Sequence, residues 1–130
     1  MAGVCQGWRV RRALPALEER VNAALCERAI AISAITRADL RYGQMSLPPQ
    51  DRCRPLIDSF LLRLPCMEWG MEAAGHCGAL KHALKTQGTP IGEMVTQIAA
   101  HAFAMNLVLV THNTRHFERI AGLVLDDWMV

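Results

Sequence analysis

The stretch Gly88–Trp128, GTPIGEMVTQIAAHAFAMNLVLVTHNTRHFERIAGLVLDDW, decides the architecture. Gly88, Pro90 and Gly92 make a turn, because glycine and proline are the strongest local punctuators of regular structure. A helix rich in small residues follows, over about Met94 to Met105, with Thr96 to Ala104 at its centre. Leu107 to Val110 is a bare apolar run of strand length, which suits a strand buried on both faces. Thr111, His112 and Asn113 are polar and sit directly at the end of that strand. A short helix from Arg115 to Ile120 and a strand near Leu123 to Leu125 complete the stretch.

The same alternation runs backwards through the chain. Leu14, Leu17, Val21 and Leu25 recur at helical spacing, with Pro15 tolerable in a first turn, so a helix is expected from Leu14 to Glu27. Ala29 to Ala34 is apolar and partly β-branched and reads as a buried strand. Ile35 to Gly43 reads as a helix capped by Thr36 and ended by Gly43, and Met45 to Gln50 as a loop. Asp51 to Leu64 is amphipathic through Leu56, Ile57, Phe60, Leu61 and Leu64. Cys66 to Trp69 is a short strand, and Met71 to Gln87 a long helix with Ala73, Ala74, Cys77, Leu80 and Leu84 inward. Strands alternating with helices imply an α/β layered domain with a mostly parallel sheet.

A length of 130 residues fits one domain, residues 1–130, and 52% apolar residues suffice for a core. A net charge of +2 does not by itself mark a nucleic-acid binder. Charge is uneven, however. No acid precedes Glu18, while Arg9, Arg11 and Arg12 cluster, either as a solvated end or as a phosphate-contacting patch. Residues 1–12 are either irregular or a substitute for a first strand, with VCQGWRV the segment available, although Gly7 and Arg9 suit a central strand poorly. The five cysteines include no C-x-x-C pair, which argues against zinc and disulfides and for buried thiols in a reducing compartment. No apolar run is long enough to span a bilayer, and MAGVCQGWRVRR lacks the pattern of a signal peptide. A cytoplasmic protein with no membrane partner is expected.

Ligands of open parallel sheets gather beyond the carboxyl ends of the strands. Asp39, Glu93 and the Thr111–Asn113 segment are the polar groups delivered there. Asp39 is either a ligand or an ordinary surface acid, and Asn113 either a site residue or a turn-former. His101 reads as a packed, hydrogen-bonded histidine. His112 and His116 flank Asn113 and read either as contacts to RNA phosphate or as ligands of a soft metal. Met67, Met71, Met94 and Met105 read as core fillers, and Trp69 and Trp128 as outer-layer or dimer-face residues.

Taken in order, SAITRADLRYG (Ser33–Gly43), LRLPCMEW (Leu62–Trp69), GTPIGEMVTQIAAHA (Gly88–Ala102), LVLVTHNTRHFERIAGL (Leu107–Leu123) and DDW (Asp126–Trp128) resemble VapC-type PIN-domain ribonuclease toxins. The resemblance covers roughly residues 14–130. It implies a Rossmann-like, three-layer PIN fold and an acidic cluster that holds Mg2+ or Mn2+ and cuts RNA, tRNA in some relatives. It also implies a cognate antitoxin partner and a homodimer. By the family pattern, Asp39 takes the second acidic position, where glutamate is usual. Val95 takes the third, and Asn113, with Thr111 beside it, the fourth. The first acid, on an N-terminal strand, has no counterpart. Glu93 is a substitute for Val95 only if it bends inward, since residues two apart on a helix point to different faces. Arg41, His112 and Arg115 are the expected substrate contacts. The chemistry this implies is catalysis through Asp39, Asn113 and Thr111, with Asp39 as metal ligand. With two acidic positions empty, the chain is expected to be either a weakened endoribonuclease or an inactive homologue that binds antitoxin or RNA. An unrelated α/β binding module is the third reading.

Overall fold

Ser33 is the point where strand becomes helix. Its Oγ accepts the backbone N–H of Ile35 at 3.1 Å, capping the helix that follows. The computed structural model describes residues 14–27, 30–111 and 113–128. The expected choice for residues 1–12, irregular or substitute strand, lies outside the described residues.

Helix α1 (Leu14–Cys26) buries Val21 and Ala24. Strand β1 (Ile32–Ser33) leads into α2 (Ala34–Ser46). The cap on Ser33 ends the strand one residue before the expected Ala34 and makes Ser33, not Thr36, the capping residue. Thr36 is instead buried on the inner stripe of α2 with Leu40 and Gln44. α2 also runs past Gly43, a costly residue inside a helix. Gln44 holds that extra turn, its Nε2 donating to Arg54 O at 2.8 Å and to Asp58 Oδ1 at 2.9 Å.

α3 (Cys53–Arg63) keeps Pro55 in its first turn and buries Leu61. Leu56, expected inward, is 66% exposed. β2 (Cys66–Met67) pairs parallel with β1, Ile32 opposite Cys66 and Ser33 opposite Met67. α4 (Met71–Thr86) packs along α5 (Glu93–Ala104), joined through Gly88 and Gly92 with φ of 72° and 95°. Those positive φ values are why glycine is used there. On α4, Ala73, Cys77 and Leu84 face inward as expected, whereas Ala74 is exposed. β3 (Leu109–Val110), α6 (Thr114–Phe117) and β4 (Leu125–Asp126) close the chain, β3 and β4 again pairing in parallel.

Two apolar clusters hold the layers. Leu84, Ile91, Ile98, Ala99, Ala102, Leu109, Phe117 and Ile120 form the larger, around α5. Ile32, Leu40, Leu61 and Leu64 form the smaller, between α2 and α3. α5 is buried over nearly its whole circumference, so its alanines let neighbouring elements approach closely. The result is the expected α/β architecture with parallel pairing, but among the described residues the strands fall into two separate pairs, β1–β2 and β3–β4. Several expected fillers lie outside. Met71 is 92% exposed, Met94 and Met105 are also exposed, and of the described cysteines only Cys77 is buried. No helix among the described residues is long and apolar enough to cross a membrane.

Candidate functional site

Asp39 stands exposed on α2, one turn after Ile35. Ile35 packs against the larger core cluster, and so does Val95 of α5. Ile35 and Val95 thus line the seam between α2 and α5, and Asp39, four residues on from Ile35, shares that face of α2 in an exposed turn. Val95 is half-buried and gives that seam a branched hydrocarbon with no ligating atom.

Glu93 opens α5 but is engaged elsewhere. Both its carboxylate oxygens accept from Lys81 Nζ at 3.0 Å, on the exposed face towards α4. Arg41 is likewise committed, with Nη1 donating to Asp58 Oδ1 at 2.6 Å and to Gln44 Oε1 at 2.9 Å. These bonds hold Asp58 below the ordinary carboxylate range, the Gln44 amide contributing most and the Arg41 bond next.

At the end of β3, Thr111 is buried and its N–H donates to Asp126 O at 2.9 Å. Its Oγ1 accepts from the Asn113 N–H at 3.0 Å, which shapes the turn into α6. Asn113 is half-buried and occupies the cap position of α6 without a side-chain cap bond. Its side chain is therefore not spent on the turn, as it would be in a simple turn-former. Arg115 is exposed on α6, and His112 lies outside the described residues.

Two features went unread in the sequence. Asp126 is tied to Arg20 at 3.9 Å and to Trp128 Nε1 at 3.1 Å, while Arg20 lies over the Trp128 ring at 4.7 Å. Ser33 Oγ and His101 Nδ1 are 2.7 Å apart, bonding β1 to α5. His101 was expected to be packed and hydrogen-bonded, but its partner is 68 residues away, and spacing carries no signal for that. Burial lowers its pKa below 6.5, against a smaller opposing contribution from the Glu68 backbone. The ring is thus a neutral structural group at neutral pH.

A divalent cation such as Mg2+ needs converging oxygens. Among the described residues no three His, Cys, Asp or Glu side chains come together. Among the described residues of the expected set, Asp39 offers an exposed carboxylate on α2, while Asn113 and the hydrogen-bonded Thr111 at the end of β3 are neutral. This donor set does not make the acidic cage that such an ion would require.

No protein-family model matches the chain. Individual relatives do. It is 39% identical over 113 residues to the tRNA(fMet)-specific endonuclease VapC of Salmonella typhimurium, covering 86% of this chain and 83% of that protein. It is 36% identical over 112 residues to the protein of the same name from Shigella flexneri, again covering 86% and 83%. Among solved structures, DNA-bound VapBC from Salmonella typhimurium superposes with a TM-score of 0.80 at 35% identity, over 87% of this chain and 84% of that one. VapBC2 from Rickettsia felis, bound to a promoter DNA fragment, gives 0.78 at 32% identity, over 85% and 84%. Sequence and fold agree over similar shares of the chain, and the chain belongs to the VapC family of PIN-domain toxins.

Proposed function

We propose that this chain is a VapC-like ribonuclease toxin whose RNA cleavage is weakened or lost, and which keeps the binding functions of the fold. The family reading is supported by relatives named as ribonucleases and endonucleases, some acting on tRNA(fMet), at up to 39% identity. The loss of activity is supported by one observation above all: Val95, an apolar residue packed on the core, holds the position of an expected acid. Asp39 then carries the remaining charge, and Mg2+ or Mn2+ is held only weakly there. Without the ion, a carboxylate facing RNA phosphates repels them. Arg115, exposed on α6, is the cation we infer to offset that repulsion.

An antitoxin is the partner we infer, because the matched structures are VapBC complexes. RNA, a second copy of the chain in a homodimer, and a cytoplasmic setting complete the proposal. The alternative in which catalysis is wholly gone, leaving an antitoxin- or RNA-binding module, differs only in the outcome of one assay. RNA cleavage is followed while Mg2+ or Mn2+ is titrated, for the native chain and for Asp39→Ala. Slow turnover lost in the variant supports the weakened enzyme. No turnover in either supports the binding module. Fast metal-dependent turnover overturns both.

A further inference from the structure

The segment through α6 carries cations that the fold does not use. Phe117 and Ile120 turn inward and are buried, and Arg115 and Arg119 are exposed. Arg20, Arg37, Arg41, Arg54 and Arg63 each have a hydrogen-bond or ion-pair partner. Among the described residues, Arg115 and Arg119 have none, and the one other such arginine, Arg52, belongs to the start of α3. Like charges four residues apart on a helical segment repel, a cost that a bound anion removes. Glu118, also exposed, is the acid that stands between them in the chain.

These cations lead to a pair of exposed rings. α5 runs from Val95 near its start to Phe103 near its end, β3 runs back, and the turn after α6 returns to the end of α5 at Gly122. A Cβ on Gly122 would lie 3.3 Å from the Phe103 ring, and its φ is 83°, so glycine is what lets the turn seat against that ring. Phe103 is still 41% exposed. Exposed His76 of α4 lies beside it, with ring centroids 5.7 Å apart and planes tilted by 42°. Eight residues of α5 separate Val95 from Phe103, about 12 Å along the helix axis. Arg115 and Arg119 therefore bridge the chain from Asn113, at the end of β3, to the rings at the far end of α5.

We propose that this course is a track for single-stranded RNA, with Arg115 and Arg119 on its phosphates and an unpaired base stacked on the Phe103 and His76 rings. The inference rests on the RNA binding proposed above and adds a stacking subsite remote from Asp39 and Val95. The planar guanidinium fork matches phosphate oxygens two at a time. Exposed rings beside free cations are the means by which unpaired bases are held without regard to sequence. An acidic peptide would satisfy the arginines but has no flat face to offer the rings. Glu118 opposes the phosphates and holds the affinity down.

Fluorescence anisotropy of a labelled single-stranded RNA of about 12 nucleotides tests this on the intact chain, in EDTA so that no metal-dependent cleavage intervenes. Phe103→Leu keeps apolar bulk but removes the aromatic plane, and should weaken binding about 5-fold or more. If that variant does not fold, His76→Ala at an exposed helix position reads the same stacking. Arg119→Ala should weaken binding and lower the slope of log Kd against log salt by about 0.7. Glu118→Gln should tighten binding, and Arg52→Ala should leave it unchanged. Native affinity and salt slope in both Phe103→Leu and Arg119→Ala overturn the track while leaving RNA binding itself intact. No RNA binding by the native chain removes the proposed RNA binding and the track together. A glutamate-rich peptide that displaces the RNA and depends equally on Phe103 also overturns the inference, and gives the surface to a protein partner.

Discussion

Val95→Asp restores a carboxylate at the seam, and its consequences can be worked through. Val95 is the third residue of α5, so the new charge sits in the first helical turn. There the helix dipole favours an anion by about 0.3–1 kcal/mol. Against this stands the loss of a half-buried valine from the core and partial desolvation of a carboxylate, together about 1.5–3 kcal/mol. The variant should be destabilised by about 1–2 kcal/mol, a fall in Tm of roughly 4–8 °C for a chain of this size. Metal reverses part of that loss. If Asp39 and Asp at position 95 hold Mn2+ with a Kd near about 1 mM, then about 10 mM Mn2+ stabilises by roughly 1.4 kcal/mol. Tm then rises by about 6 °C in the variant, against about 1 °C or less in the native chain. Scanning calorimetry with and without Mn2+ reads both shifts, and Asp39→Ala in the same background should remove the gain. A variant that Mn2+ stabilises no more than the native chain would refute the proposed pairing of residue 95 with Asp39.

Other substitutions probe the frame. Phe117, 1% exposed in the larger cluster, should cost about 3–5 kcal/mol as Phe117→Ala, read by urea denaturation. Lys81→Ala, which frees Glu93, should cost less than about 1 kcal/mol, because that ion pair is exposed on both sides. The buried His101 has its pKa lowered from 6.5, so the unfolded chain takes up its proton first as pH falls. Stability from this group is complete above pH 6.5 and declines as pH drops through the folded-state value; denaturation at a series of pH values should show a slope that His101→Gln flattens.

Much of the fold was legible because α5 and the end of β3 carry their own signals, although the strand is only Leu109–Val110 and Leu107 and Val108, expected buried on both faces, are exposed. The small-residue run and the apolar run after it allow few other packings, and Gly88 and Gly92 mark the turn. Errors arose where a distant contact overrode local preference. Gly43 should end a helix, but Gln44 bonds to Arg54 and Asp58 on α3 and carries α2 onward. Leu56 and Met71 fit an apolar stripe, yet the stripe is wider than the core it meets. At the candidate site, Asp39, Val95, Thr111 and Asn113 are assigned by their order along the chain. The commitments of Glu93 to Lys81 and of Arg41 to Asp58 were not, because each pairs residues on different elements. Nor could spacing reveal the division of the strands into two pairs. That depends on which backbone edges meet.

Isothermal titration of the intact chain with Mn2+ tests the central claim most directly. If Asp39 is the one carboxylate left to the ion, binding should have a Kd weaker than about 1 mM, and Asp39→Ala should erase what heat there is. A single site tighter than about 10 μM, unchanged when Asp39 is removed, would mean that an acidic cluster exists elsewhere in the fold and would contradict the account.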